Sequence, residues 1–157
     1  MTVRLLLIGK TDRNELQSLL ADYTKRLSHY VNFELEVIPD LKNVKNLTET
    51  LQKEKEGELL LKRIGKAEAL ILLDEKGKEF SSVQFSAYLQ KKMNSGLKRL
   101  SFVIGGPYGF SPEVQQRAQG KVSLSKMTFS HQMVRVFAVE QLYRAFTILK
   151  NEPYHHR

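Results

Sequence analysis

The chain has 157 residues, of which 41% are hydrophobic and 27% are charged, and it contains no cysteine. This length and balance predict a single globular domain over residues 1–157 and exclude a disordered or collagen-like chain. Without cysteine there are no disulfides, thiolate metal sites or cysteine nucleophiles, and no apolar stretch is long enough to span a bilayer. We expect a cytoplasmic protein with no metal and no membrane contact.

The net charge of +8 is distributed unevenly along the chain. Residues 1–97 carry a net charge of +2, and residues 98–157 carry +6. Two interpretations stay open from composition alone: a basic surface that keeps the protein soluble, or a polyanionic partner that binds the C-terminal part.

Hydrophobic periodicity predicts strands and helices that alternate along the chain. Apolar or alternating runs predict strands at 3–8, 33–38, 67–73, 100–104 and 122–124. Helical spacing predicts helices at 14–29, 46–64, 82–93, 112–118 and about 131–150. Residues 74–77 are predicted to form a turn, and the run KEKEGE at 53–58 a solvated helix face. This alternation predicts an α/β fold in which helices cover both faces of a parallel sheet.

The stretch GGPYGFS, residues 105–111, lies between a predicted strand and a predicted helix. It matches neither the dinucleotide fingerprint nor the P-loop, and Pro107 removes a backbone donor that a phosphate would need. The pair Gly105 and Gly106 would let a ligand approach the backbone, so a Cβ at Gly106 is expected to occupy ligand space. A structural turn and a ligand pocket are both open at this point. Unusual residues also follow two other strands, at 73–75 and 123–128, and ligands bind beyond such strand ends.

The last predicted helix places Arg135 on the same side as the apolar Leu142 and Phe146. A buried cation is costly unless a partner compensates it. Arg135 is therefore either a structural arginine paired with an Asp or Glu, or a group that awaits an anionic ligand or RNA.

The C-terminal tail, NEPYHHR, ends in aromatic and basic side chains. It is either a frayed end or a segment whose rings stack on a base while Arg157 holds a phosphate.

Three motifs together resemble the ribosomal RNA large subunit methyltransferase H family over the whole chain. They are FVIGGPYGFS at 102–111, SLSKMTFSHQMVRVFAVEQLYRAFTI at 123–148 and PYHH at 153–156. That family belongs to the SPOUT class of knotted methyltransferases. The resemblance implies a homodimer with a C-terminal trefoil knot and S-adenosylmethionine as the methyl donor. The implied substrate is N3 of a pseudouridine, position 1915, in the 23S rRNA of assembled ribosomes.

The resemblance also implies the site residues. The cofactor contacts carried over are Leu73, Gly105, Gly106, Lys126, Met127, Thr128, Phe129, Ser130 and His131. Catalytic contributions are expected from Arg135, Tyr154 and His155, because N3 of the base must lose a proton and a nearby cation or neutral histidine favours that form. We expect the tail to complete the partner subunit's site. The rival functions are a knotted methyltransferase for another RNA, such as tRNA, and a basic RNA-binding module without catalysis.

Overall fold

The computed structural model describes residues 1–156, in which strands and helices alternate throughout. The strands are β1 (Thr2–Ile8), β2 (Asn32–Ile38), β3 (Ala69–Glu79), β4 (Arg99–Ile104) and β5 (Gly120–Ser123). The helices are α1 (Asn14–Ser28), α2 (Glu49–Leu61), α3 (Ser82–Asn94), α4 (Pro112–Arg117) and α5 (Met133–Leu149).

All neighbouring strands are parallel, in the order β2-β1-β4-β3-β5, and both faces of the sheet are covered. Because side chains alternate along a strand, Leu5 and Phe102 pack against α1, α3 and α5, whereas Leu6 and Val103 pack against α2 and α4. Helix α5 lies between α1 and α3. The predicted α/β fold with helices on both faces of a parallel sheet is confirmed.

Helices α3 and α4 begin close to where the sequence predicts, and capping residues stabilise their first turns. The Ser81 hydroxyl accepts a hydrogen bond from the Gln84 amide, and the Gln84 side chain accepts one from the Ser81 amide, which completes a capping box at α3. The Ser111 hydroxyl caps α4 by accepting a hydrogen bond from the Val114 amide, with Pro112 at the first helical position.

Strand β3 is longer than predicted. It continues past Leu73 to Glu79, and Leu73 and Lys78 both pair with Val122 of β5, so that the residues between them bulge out of the sheet. The backbones run close together there: a Cβ at Gly77 would lie 2.7 Å from the Val122 nitrogen. The prediction that the strand gives way to a turn at 74–77 is therefore wrong.

The predicted solvated face at 53–58 is also wrong in part. Glu56 and Gly57 are buried, because α2 packs there against the segment that leads into α4.

The segment 124–132 crosses the carboxyl edge of the sheet from β5, at its border, to the end of β1. There the Gln132 side chain accepts a hydrogen bond from the Asp12 amide at 2.9 Å and donates one to the Lys10 carbonyl at 3.1 Å. The trefoil knot implied by the family resemblance stays a prediction.

Within residues 1–156, no helix is both long and apolar enough to cross a bilayer, and no three histidine or acidic side chains lie together as a metal ion would need.

A buried ion network joins three strands on the α2 face of the sheet. Arg4 of β1 donates to Glu36 of β2 at 2.7 Å, to Glu68 at 2.5 Å and, through Nε, to Ser101 of β4 at 3.1 Å. Its remaining hydrogen bond goes to the Arg63 carbonyl at 2.8 Å. Every guanidinium nitrogen of Arg4 thus has an acceptor, which offsets the cost of burying the charge.

Glu68 carries the pH dependence of this network. Burial by itself raises the pKa of its carboxyl, but hydrogen bonds from Ser101 and the Gly65 amide, together with the Arg4 charge, outweigh burial and lower the pKa below its ordinary value. A lowered folded-state pKa contributes stability above the unfolded pKa, and that contribution is lost as the pH falls through the folded value.

We predict that Glu68→Gln lowers the free energy of unfolding at pH 7 by roughly 1 to 3 kcal/mol, because the charged partner of Arg4 is lost. The difference from wild type should shrink as the pH falls from the ordinary pKa of a glutamate through the lower folded-state pKa, because the wild-type carboxyl is then protonated as well. Urea denaturation from pH 7 to pH 3 measures this, with the exposed Glu58→Gln as the control. Curves for wild type and Glu68→Gln that stay parallel throughout would contradict the assignment.

Candidate functional site

A cavity of about 540 Å³ opens at one edge of the sheet, between the bulge in β3 and the carboxyl ends of β4 and β5. Its walls come from residues 73–76, 104–110 and 124–131, with Val134 from the first turn of α5. These are the three strand ends that carry unusual residues in the sequence, and the parallel sheet brings them to one edge. The volume falls in the range of small-molecule sites.

The glycine-rich wall is a tight turn and a cavity wall at once. The Gly109 amide donates to the Gly106 carbonyl at 3.1 Å, and Gly109 has φ +80°, a left-handed conformation that suits glycine. The ring of Phe110 is buried beneath Gly105, where an added Cβ would lie 3.1 Å from it. The loop is therefore a structural turn that also lines the cavity, and its contact with a ligand stays a prediction.

Gly106 is needed for a reason other than the one expected. A Cβ there would lie 2.6 Å from both carboxyl oxygens of Glu56, on the α2 side of the loop. An added Cβ would therefore meet a buried side chain of the protein, and the expectation that it would also occupy ligand space stays a prediction.

The segment after β5 supplies the third wall. Met127, Thr128, Phe129 and His131 line the cavity, as do Leu73, Gly105 and Gly106 from the other walls. Of the predicted cofactor contacts, Lys126 and Ser130 lie outside this lining. The Lys126 ammonium is exposed, 3.6 Å from the Glu79 carboxylate. The Ser130 hydroxyl accepts a hydrogen bond from the Met133 amide at 3.0 Å, where α5 begins.

Several further lining residues are not among the predicted cofactor contacts. Lys53 comes from α2, Gln115 from α4 and Lys121 from β5, and the Lys121 ammonium donates to the Gln115 side chain at 2.7 Å. Asp74 and Lys76 come from the bulge in β3. These residues share no sequence motif. They share only a position near the carboxyl edge of the sheet, and that position can be recognised only once the strand order is known.

Arg135 is enclosed by acceptors of its own chain. It is 1% exposed, and its Nε donates to the His131 carbonyl at 3.0 Å. One terminal nitrogen donates to the Gly9 carbonyl at 2.9 Å and to the Thr11 hydroxyl at 3.0 Å, and the other to the Ile8 carbonyl at 2.8 Å. The guanidinium joins the end of β1 to the start of α5, and its nitrogens are directed at protein acceptors.

The structure therefore favours the structural alternative for Arg135, with one difference from the sequence interpretation. Its hydrogen-bonding partners are backbone carbonyls and a hydroxyl, where an Asp or Glu was expected. Burial lowers the pKa of Arg135, and the nearby charges of Asp12 and Asp40 counteract burial.

The tail folds back onto α5 and lies outside the cavity lining of its own chain. The Tyr154 hydroxyl donates to Glu140 at 2.8 Å, and its ring packs edge-on against Tyr143 with 4.7 Å between centroids. Burial, then the contacts with Tyr23 and Glu140, raise the pKa of Tyr154, so its hydroxyl stays protonated.

His155 is held in one tautomer by its neighbour. Its Nδ1 lies 3.2 Å from a terminal nitrogen of Arg144. Because a guanidinium has only donors, Nδ1 accepts, and the proton of a neutral ring is on Nε2. The phosphate contact predicted for Arg157 lies outside the described residues.

Fold and site together define an α/β protein with a cavity of small-molecule size at the carboxyl edge of its sheet. The sequence model of a family described as "Predicted SPOUT methyltransferase" matches residues 1–155. The chain therefore belongs to the SPOUT methyltransferase family.

Curated relatives extend this result. The ribosomal RNA large subunit methyltransferase H of Flavobacterium johnsoniae is 68% identical over 157 residues, which are all of both chains. The protein of the same name from Parabacteroides distasonis is 62% identical over 156 residues, 99% of each chain. Among solved structures, the SpoU methyltransferase AviRb of Streptomyces viridochromogenes, in complex with AdoMet, is 13% identical with a TM-score of 0.46. That match covers 95% of this chain and 58% of AviRb, and the structural similarity is too low to support a conclusion about this chain.

We predict that Arg135→Ala lowers the free energy of unfolding by roughly 2 to 4 kcal/mol, since it leaves several buried carbonyls without donors. Arg135→Lys should restore little, because one ammonium lacks the planar fork that reaches all four acceptors. Urea denaturation measures both, with the exposed Lys126→Ala as the control. If Arg135→Ala is as stable as wild type but loses activity, the direct catalytic role prevails over the structural one.

Proposed function

We propose that the protein is an S-adenosylmethionine-dependent methyltransferase that acts in the cytoplasm on 23S rRNA of the large ribosomal subunit, at N3 of a pseudouridine. The observation that carries the proposal is the convergence of three strand ends on one cavity in a chain of the SPOUT methyltransferase family. The relatives that match over full length carry the name of a large subunit rRNA methyltransferase.

The lining of the cavity suits S-adenosylmethionine. Adenosine requires backbone hydrogen bonds and an apolar slot, which the glycine loop and the side chains of Leu73, Ile104 and Val134 offer. The carboxylates of Asp74 and Glu75 provide negative charge for a sulfonium or ammonium cation. When bound, the cofactor supplies a methyl group on a sulfonium sulfur, and catalysis then rests largely on orientation of the acceptor nitrogen.

The cavity rim has groups for RNA. Lys53, Lys76 and Lys121 line the cavity beside Tyr108, whose ring is 42% exposed. Ammonium groups bind phosphates and a tyrosine ring stacks on a base, so this rim can hold the nucleotide that enters the cavity.

An apolar patch next to the cavity supports a homodimer. Phe129, Met133 and Phe137 are 41%, 50% and 43% exposed, and the two phenylalanine rings lie 5.3 Å apart. Such a patch on a surface helix is typical of a protein interface. A second copy seated there would cover the patch and bring its own tail close to the cavity.

We place the tail in the partner's site because it is held away from its own. The hydrogen bond from Arg144 leaves His155 Nε2 as a donor. Directed at a carbonyl oxygen of the base, Nε2–H would stabilise the negative charge that forms when N3 loses its proton. The ring of Tyr154 contacts Arg144 and Tyr143, and it would pack beside the base.

We predict that wild type binds S-adenosylmethionine in calorimetry and transfers a methyl group to 23S rRNA in ribosomes that lack the modification. Deletion of residues 154–157 should leave the binding constant and the dimer unchanged but lower methyl transfer by roughly 100-fold or more. Mass mapping of the rRNA locates the methyl group. Methylation of tRNA in place of 23S rRNA, or RNA binding without any cofactor binding, would favour one of the rival functions.

A mixture of two inactive variants tests the position of the tail. Thr128→Trp fills the cavity from an exposed loop position, and the tail deletion keeps the cavity open. In a heterodimer, the open cavity of the tail-deleted subunit meets the intact tail of the Thr128→Trp subunit. We predict that activity returns, at up to about half of wild type per dimer because one site is complete. Inactive heterodimers, confirmed as such by differential tags, would place tail and cavity in the same chain.

A further inference from the structure

Glu56 on α2 is a buried carboxyl that lacks a full set of partners. The residue is 6% exposed, and Oε1 has no hydrogen-bond donor among residues 1–156. Its other oxygen accepts only a long hydrogen bond, at 3.4 Å, from the side chain of Gln52. A buried carboxyl without a full set of hydrogen-bond partners lowers the stability of the folded protein, so the position of Glu56 requires an explanation.

The carboxyl lies directly against the glycine loop of the cofactor cavity. The space where a side chain of Gly106 would begin is 2.6 Å from both of its oxygens. The gap beneath the loop holds only about 10 Å³, which is at most one water molecule, so the carboxyl has little freedom to move aside.

The neighbouring residue on α2 brings Glu56 to this position. A Cβ on Gly57 would lie 2.6 Å from the Ser111 hydroxyl and 3.0 Å from a Val114 methyl. Only a glycine lets the helix approach the start of α4 so closely, and that approach places Glu56 beneath Gly106. Gly57 thus allows the close approach of α2 because it has no side chain, and the Glu56 side chain extends from the helix to the loop.

We propose that Glu56 is a positioning residue for cofactor binding: its carboxyl supports the underside of the loop at Gly106, so that the opposite side of the loop keeps the shape that receives S-adenosylmethionine. This inference rests on the proposed function. It explains why residue 106 is a glycine: the Glu56 carboxyl occupies the space that a side chain at this position would need. The contact is one of shape, and it therefore requires the volume of the carboxyl more than its charge.

The electrostatic surroundings agree with a role that does not depend on charge. Burial raises the pKa of Glu56, the hydrogen bond from Gln52 counteracts this, and the charge of Asp40 raises the pKa further. These surroundings favour the neutral form more than water does, and a glutamine of the same shape should serve as well.

The test compares four variants by calorimetry with S-adenosylmethionine and by urea denaturation. Gly106→Val should weaken binding roughly 10- to 100-fold, since the loop must move by a good part of an ångström. Glu56→Ala should weaken binding about tenfold, and Glu56→Gln should stay within about twofold of wild type. The double variant Glu56→Ala with Gly106→Val should bind about tenfold more tightly than Gly106→Val alone, because the valine methyls take the space that the carboxyl vacates.

The control is Glu58→Ala, which removes an exposed carboxyl from the same helix and should change nothing. If wild type binds the cofactor but the double variant binds no better than Gly106→Val, the inference is overturned, because the valine then obstructs the ligand itself. If Glu56→Ala binds as wild type does, the inference is likewise overturned.

Hydrogen exchange of residues 105–109 in the unliganded proteins tests the role of Glu56 independently of the proposed function. Glu56→Ala should speed amide exchange in this loop about tenfold over wild type, while Glu56→Gln and Glu58→Ala should not. A wild type that fails to bind S-adenosylmethionine would refute the proposed function, and the exchange result would still decide whether Glu56 supports the loop. The same measurement applies if Gly106→Val does not fold.

Discussion

One buried guanidinium holds the third wall of the cavity against the end of β1. Residues 124–132 have no strand of their own and span the carboxyl edge of the sheet as an irregular segment. Arg135 secures the far end of that segment, because it binds the His131 carbonyl and the carbonyls of Ile8 and Gly9 at once. The free energy needed to bury its charge is offset by aligned backbone dipoles, which cannot be lost through protonation as a carboxylate partner could.

The two helical layers support different walls of the cavity. On one face of the sheet, α5 supplies Val134 and ends the segment that carries His131. On the other face, α2 reaches the glycine loop through Glu56 and Gly57. The glycine loop is therefore fitted between the cavity and a helix. We expect substitutions on the helix side of the loop to change the shape of the cavity.

The alternation of strands and helices followed from apolar periodicity, since runs such as residues 3–8 and 100–104 are too short and too continuous for helices. The side of α5 that carries Arg135 also followed from a period of 3.6 residues. Periodicity could not identify what the guanidinium binds, because Ile8 and Gly9 are more than 120 positions away and offer only backbone atoms.

Glu56 was misjudged for a related reason. A glutamate within a run of charged residues is ordinarily solvated, and only the packing of α2 against Ser111 reveals that this one is enclosed. The bulge in β3 was missed because Asp74 and Gly77 are typical turn residues. Their backbone in fact returns to pair with β5, a partner that lies more than 40 residues later in the chain.

The connection from Arg135 back to β1 also determines when in its life the protein becomes competent. A ribosome releases Ile8 and Gly9 more than 120 residues before Arg135, so the newborn chain carries acceptors whose donor has not yet been made. Until α5 docks between α1 and α3, one face of the sheet exposes apolar side chains and the third wall of the cavity is not secured. We therefore expect cofactor capture to follow the docking of α5, and a chain truncated before α5 to lack the contact that secures its site.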